Sequence, residues 1–323
     1  MNAEAEAEAA RLLRWYPKTW RARYGEEFAE LLVADITERP RSKSRTADVV
    51  RGGIMARLAA AGLGGGTLEA VAQVPASLTA LGCCTAVFVS LGAAMWSQLT
   101  VGWQWSAPDN VATTVAMVVM SAAILVLGVL ALAAAVPVLW TAGWRLATGR
   151  PRGLLGPGAL VVAGAVIMFV GARHFGNGWP GTGGHRSGLV PGGVAAFCWA
   201  STLSVSSYWA HPGALAGFPA AELAWMAASP LALAGLAGGA AALVRRAELP
   251  ARVLDFETRI GTAACAAMAV FLGGCCAWLV SREPGNLFHA GAIDAAGAAV
   301  MTITLLAARH AARTARLALN RPR

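Results

Sequence analysis

Residues 111–140 read VATTVAMVVMSAAILVLGVLALAAAVPVLW, thirty positions without one charged side chain. A helix needs about 20 apolar residues to cross the roughly 30 Å hydrocarbon core of a bilayer. This stretch therefore predicts a membrane helix, and its length and Pro137 predict that the helix is tilted or kinked. Working outward from it, six more apolar runs appear, at 76–98, 154–172, 191–210, 221–244, 260–280 and 289–308. Tryptophans stand near several run ends, as interfacial anchors do: Trp96, Trp103 and Trp105, then Trp140 and Trp144, then Trp278. The expected fold is all-α, a polytopic membrane helix bundle of seven apolar segments over 76–308. A small cytoplasmic helical module over 1–75 precedes it, and a basic cytoplasmic tail over 309–323 follows.

Charge supports that division. Only 13% of the 323 residues are charged, against about 25% in soluble domains. The first 75 residues hold 21 of the 43 charges. Such a distribution excludes a single soluble globular domain, and it excludes a disordered chain. The net charge of +9 does not indicate a nucleic-acid partner, because 11 basic and 10 acidic residues leave the first 75 positions nearly neutral. The excess lies beside the apolar runs: Arg145, Arg150 and Arg152; Arg245, Arg246, Arg252 and Arg259; and Arg309, Arg313, Arg316, Arg321 and Arg323. Arginines so placed mark cytoplasmic loops. The start, Met1-Asn2-Ala3-Glu4, lacks the basic region of a cleaved signal. A multi-pass plasma-membrane protein with both termini in the cytoplasm is expected.

Parity then constrains the topology. Three apolar runs separate the basic segments 145–152 and 245–259, and an odd number of crossings cannot return to the same side. The run 191–210 is the one expected not to cross, since Pro191-Gly192-Gly193 opens it and Ser201, Thr202, Ser204, Ser206 and Ser207 make it polar. Irregular backbone at membrane depth is tolerated when protein surrounds it. Six crossings result. Seven would leave the C-terminus outside and break the charge rule twice.

Within the first 75 residues, the Ala/Glu alternation of 2–14, ending in Arg11-Leu12-Leu13-Arg14, predicts a helix whose charges suit its dipole. Pro17 is expected in the first turn of a second helix, where Trp20, Tyr24, Phe28 and Leu31/Leu32 line one stripe, provided the helix runs through Gly25. Arg23 and Glu27, four apart, can pair on its flank. Residues 39–46 read as a basic linker. Thr46 is the expected cap of a third helix with Val50, Ile54 and Leu58 on one face. The three helices form either a small bundle or a platform lying against the bilayer.

Chemistry is sparse. Cys83, Cys84, Cys198, Cys265, Cys275 and Cys276 all fall in apolar stretches without a C-x-x-C, and read as packing residues. His174 and His185 stand eleven apart, which fits no compact metal motif, and no P-loop, G-x-S-x-G or H-E-x-x-H pattern occurs. No catalytic site, metal or cofactor is expected, and the chain does not read as an enzyme. Glu222, His289 and Asp294 lie in or beside apolar runs, where a polar side chain is a candidate for a proton or cation path. Gly235 and Gly239, like Gly291, Ala295 and Ala299, have the spacing of a homo-oligomer seam or of packing inside the bundle.

The stretch Leu12-Leu13-Arg14-Trp15-Tyr16-Pro17-Lys18-Thr19-Trp20-Arg21-Ala22-Arg23-Tyr24-Gly25-Glu26-Glu27-Phe28 resembles the cytoplasmic prefix of predicted bacterial ABC-type export permeases. Asp48-Val49-Val50-Arg51-Gly52 and Ala56-Arg57-Leu58 fit the second half of that prefix. The whole chain looks most like uncharacterised multi-pass proteins of actinobacteria that carry a similar segment. The permeases have a large extracytoplasmic domain after their first membrane helix, and here that gap is only residues 99–110. What the resemblance implies is a docking or regulatory module attached to a membrane bundle. The expected function is regulatory or scaffolding, with Trp15, Tyr16, Arg21, Arg23, Tyr24 and Glu27 contacting a cytosolic regulatory protein such as a transcription regulator or sigma factor. The alternative is a transporter or permease-like subunit using Glu222, His289 and Asp294.

Overall fold

A computed structural model of the chain describes residues 2–63, 70–100, 111–148, 153–175, 219–281 and 291–320. All regular structure among the described residues is helical. The elements are α1 (Asn2–Leu13), α2 (Lys18–Glu38), α3 (Lys43–Ala60), α4 (Ala70–Thr100), α5 (Val111–Ala147), α6 (Leu155–Phe175), α7 (Ala220–Arg246), α8 (Ala251–Ser281) and α9 (Gly291–Leu319). The chain divides into two compact units, one of Met1–Ala80 with Arg313–Arg323, the other of Leu81–Ala312.

In the first unit, α1 places Ala5, Ala9 and Leu12 on one buried stripe at helical spacing. Tyr16, Leu32, Ile36 and Val49 complete the core, with Trp20 and Phe28 packed on it. The α2 helix runs through Gly25, as its stripe requires, and opens immediately after Pro17. The third helix starts earlier than Thr46. Ser42 is its cap, accepting a hydrogen bond from the Arg45 amide at 3.4 Å, so the second half of the basic stretch 39–46 is helix and not linker. Arg45, Val49, Gly53 and Ala59 point inward, while Ile54 and Leu58 of the expected apolar face are exposed. Burying Arg45 among its partners leaves the Ile54 side outward.

The end of α3 is fixed by chemistry at Gly62. The Gly62 amide donates to Ala59 O at 2.9 Å and the Leu63 amide to Leu58 O at 2.8 Å, the paired bonds of a glycine-terminated helix. Gly62 takes φ +86, a conformation open to glycine at little cost.

In the second unit, α5 packs along α8, and α6 packs along α7. Phe88 of α4 meets Phe271 of α8 edge-on at 5.9 Å, and both are fully buried, as are Met120, Met268 and Cys275. Between α6 and α7, Trp225 Nε1 donates to Ile167 O at 2.9 Å. The indole occupies the space a side chain at Gly171 would need. Gly239 lies against Pro157 O, and Gly164 against Ala232 O, so the small residues of this pair serve packing inside the chain.

Four helical stretches among the described residues are long and apolar enough to cross a membrane: Ala72–Gly92, Val111–Ala147, Leu223–Arg246 and Ala251–Trp278. Leu155–Gly171 is apolar but shorter. The α5 helix holds Pro137 inside one continuous 37-residue element, and it turns Leu125 and Leu132 outward at 70% exposure each. An exterior of this kind suits lipid better than water. Two boundaries shift from the sequence reading. The helix that carries the sixth run begins at Ala251, ahead of the apolar run at 260, and Asp255 and Arg259 pair at 2.8 Å along its first turns. Residues 309–319 continue α9 with Ala311, Ala312, Ala315 and Ala318 buried, so the tail is mostly helix. The run 191–210 lies outside the described residues, as does Cys198.

Candidate functional site

The most strongly structured polar site is in the N-terminal unit, and sequence reading passed over it. Arg45 is only 7% exposed. Its Nη2 lies 3.2 Å from Glu8 Oε1 on α1, and its Nη1 lies 3.4 Å from Asp35 Oδ2 on α2. The same Nη1 donates to Arg39 O at 2.8 Å and to Asp35 O at 3.2 Å. One guanidinium thus joins all three helices and satisfies carbonyls at the end of α2, a task its planar fork of donors suits. The available signal was an arginine at four-residue spacing from Val49 and Gly53, the buried side of α3.

A second arginine closes the turn between α1 and α2. Arg57 Nε donates to Trp15 O at 2.6 Å, and its Nη2 to Arg14 O at 2.7 Å. The turn lies against α3 because Gly53 has no side chain. A Cβ there would sit 2.6 Å from Trp15 Cβ. The Trp15-Tyr16-Pro17 segment and the Gly52-Gly53 pair are therefore two halves of one packing contact.

The six residues expected to meet a partner divide into two groups. Tyr16 is buried, stacked on Trp20 at 4.0 Å and edge-on to Phe28 at 5.4 Å. Burial raises the pKa of its phenol above the ordinary value. Arg21 is half-buried, with Nε enclosed and unpaired. The other four are exposed: Trp15, Arg23, Tyr24 and Glu27. Arg23 and Glu27 are not among the described ion pairs. The Arg23 guanidinium instead lies 5.3 Å from the centre of the Tyr24 ring. Leu31, two turns along α2 from Tyr24, is 67% exposed and extends this face.

In the second unit, the loops after α5 and α7 meet. Arg145 Nη1 lies 2.7 Å from Glu248 Oε2, and Arg246 Nη1 donates to Gly153 O at 3.0 Å. Val138, Ala142, Leu154, Leu243, Ala247 and Leu249 form the apolar cluster beneath them. Arg145 and Arg246, from two of the arginine-rich segments, therefore lie at one end of this unit.

Of the expected intramembrane residues, Glu222 stands in the first turn of α7 and Asp294 in the first turn of α9. Their side chains, and His289 entirely, lie outside the described residues. Sequence reading did not single out Glu257, on α8, whose Oε1 is enclosed without a hydrogen-bond partner. Cys83, Cys84, Cys265, Cys275 and Cys276 are free thiols. No group of three His, Cys, Asp or Glu able to hold a metal occurs among the described residues.

No protein-family model, curated protein or solved structure matches this chain.

Proposed function

We propose that this chain is an integral membrane protein of regulatory or scaffolding type, whose N-terminal three-helix module presents the outer face of α2 to a cytosolic regulatory protein. The carrying observation is the pairing of a locked interior with an unpartnered exterior. Arg45 and Arg57 hold the module rigid, while Tyr24, at 42% exposure, Leu31, Arg23, Glu27 and Trp15 remain at its surface. Aromatic and aliphatic anchors flanked by charges of both signs are the composition of a protein-docking face, and preorganisation lowers the entropic cost of using it. The resemblance of residues 12–28 to permease prefixes agrees with an attached docking module. The proposed topology has both termini in the cytoplasm of the plasma membrane and six crossings. The Arg145–Glu248 contact supports one part of it, an even number of crossings between the end of α5 and the residue after α7.

A photo-crosslinking amino acid placed at Tyr24 or Leu31 of the full chain in cells tests the docking reading. A discrete adduct with one cytosolic protein is expected at both positions and none at the lipid-facing Leu132. Absence of any protein adduct at positions 24 and 31 would remove this function.

A further inference from the structure

The outer face of α3 is a second exposed surface, distinct from that of α2. Arg51, Ile54, Met55 and Leu58 follow one another at helical spacing along one stripe. Met55 is 59% exposed, and Ile54 and Leu58 are exposed beside it. Towards the start of the helix the stripe turns polar, with Asp48 and Ser44 exposed. The face is thus apolar only in its C-terminal half.

The chain fixes where that half lies. Ser77 Oγ donates to Gly62 O at 3.0 Å, and Gln73 Nε2 donates to Ser77 Oγ at 3.1 Å. Gly62 approaches the Ala76–Ser77 backbone so closely that a Cβ would not fit. Ser77 belongs to the membrane-length stretch Ala72–Gly92, five residues past its start, which is about 7 Å along the helix axis. With Ala72–Gly92 read as a membrane span, the end of α3 is held at the level where α4 enters the apolar layer. Leu58, one turn before Gly62, stands about 6 Å along α3 from that anchor. The headgroup region on each side of a bilayer is of similar thickness.

We infer that the C-terminal half of α3 rests in the cytoplasmic interface of the bilayer, with Ile54, Met55 and Leu58 at the acyl boundary and Arg51 at the lipid phosphates. Interfacial helices bury an apolar face about 5–10 Å deep and keep basic residues among the headgroups. The proposal rests on the membrane reading of α4 and is independent of the docking role of α2.

The test uses the full chain in vesicles of phosphatidylcholine and phosphatidylglycerol. An environment-sensitive fluorescent amino acid replaces Met55, Leu58 or Asp48, one at a time. Bromine-labelled lipid is expected to quench positions 55 and 58, with blue-shifted emission, while aqueous iodide quenches position 48. Quenching of 55 and 58 by iodide alone would overturn the inference. Shielding of both from either quencher would also overturn it, since the face would then be covered by protein, a second copy being the available candidate. A chain that fails to float with the vesicles would instead refute the membrane reading itself.

Discussion

Arg145 reaches across from the end of α5 to hold Glu248 twice, its Nη1 2.7 Å from the carboxylate and its Nη2 donating to the backbone carbonyl at 3.1 Å. Glu248 takes φ 42, a left-handed conformation unusual for a residue with a side chain, and the two contacts secure it there. The carboxylate is 79% exposed, so the pair contributes at most about 1 kcal/mol. Its value lies in what it says about sidedness. In a variant lacking native cysteines, Arg145→Cys and Glu248→Cys are expected to react with an impermeant thiol reagent from the same face of sealed vesicles. Reaction from opposite faces would end the six-crossing topology.

Replacing the buried arginine of the N-terminal module tests its internal lock. Arg45→Met is expected to destabilise the three-helix unit by about 3 kcal/mol, because Glu8, Asp35 and two backbone carbonyls lose their shared donor. Arg45→Lys is expected to restore only part of this, lacking the fork that reaches both sides. Limited proteolysis of the full chain, read at residues 1–60, gives the measurement. Wild-type resistance in Arg45→Met would show that the network is dispensable.

The bundle was legible in the sequence because membrane helices are written in composition. Six of the seven apolar runs fall on described helices. The module was less legible, and charge was the reason. Arg45 looked like part of a solvated basic linker, and nothing in its neighbours announced Glu8, 37 positions away, as a partner. Val50, Ile54 and Leu58 read as one apolar face of α3, and the guanidinium lies on the other side, with Val49 and Gly53. Likewise, α8 begins ahead of its apolar run, and Asp255 and Arg259 pair within the helix. Of the six proposed contact residues, Tyr16 is the buried one, because the turn before α2 folds it onto Trp20 and Phe28, a contact that helical spacing does not announce.

Close approach at Gly53 gives a steric test. Gly53→Ala puts a methyl group 2.6 Å from Trp15 Cβ and 2.9 Å from its carbonyl carbon. The turn must separate from α3, at a cost of about 1–3 kcal/mol, and Arg57 loses alignment with the carbonyls of Arg14 and Trp15. The expected readout is faster amide exchange at residues 14–17. Unchanged exchange would mean that the backbone shifts without loss.

The α6–α7 pair is expected to depend on one indole. Trp225→Phe removes the bond to Ile167 O, a loss of about 1 kcal/mol. Gly171→Leu is the more severe change, because the indole and the new side chain claim the same volume. Thermal unfolding in a nanodisc should rank wild type above Trp225→Phe and Trp225→Phe above Gly171→Leu. Equal midpoints would disconnect this contact from bundle stability.

Tyr16 predicts a pH dependence. Burial raises its pKa, so folding favours the neutral phenol. The associated stability is complete below the ordinary tyrosine range, near 10, and is lost as pH climbs through the raised value. In an alkaline absorbance titration, part of the phenol signal should appear above the ordinary tyrosine range, and Tyr16→Phe should delete that late component. A titration unchanged by Tyr16→Phe in that range would contradict the buried placement.

The reach of Arg45 to Glu8 and Asp35 also has a consequence in time. A ribosome delivers the two carboxylates first and the cation afterwards, so α1 and α2 emerge before the group that joins them. Arg57, which secures the turn between them, comes later still. Closure of the three-helix module therefore waits until nearly the whole of α3 has emerged, just ahead of the first membrane-length segment.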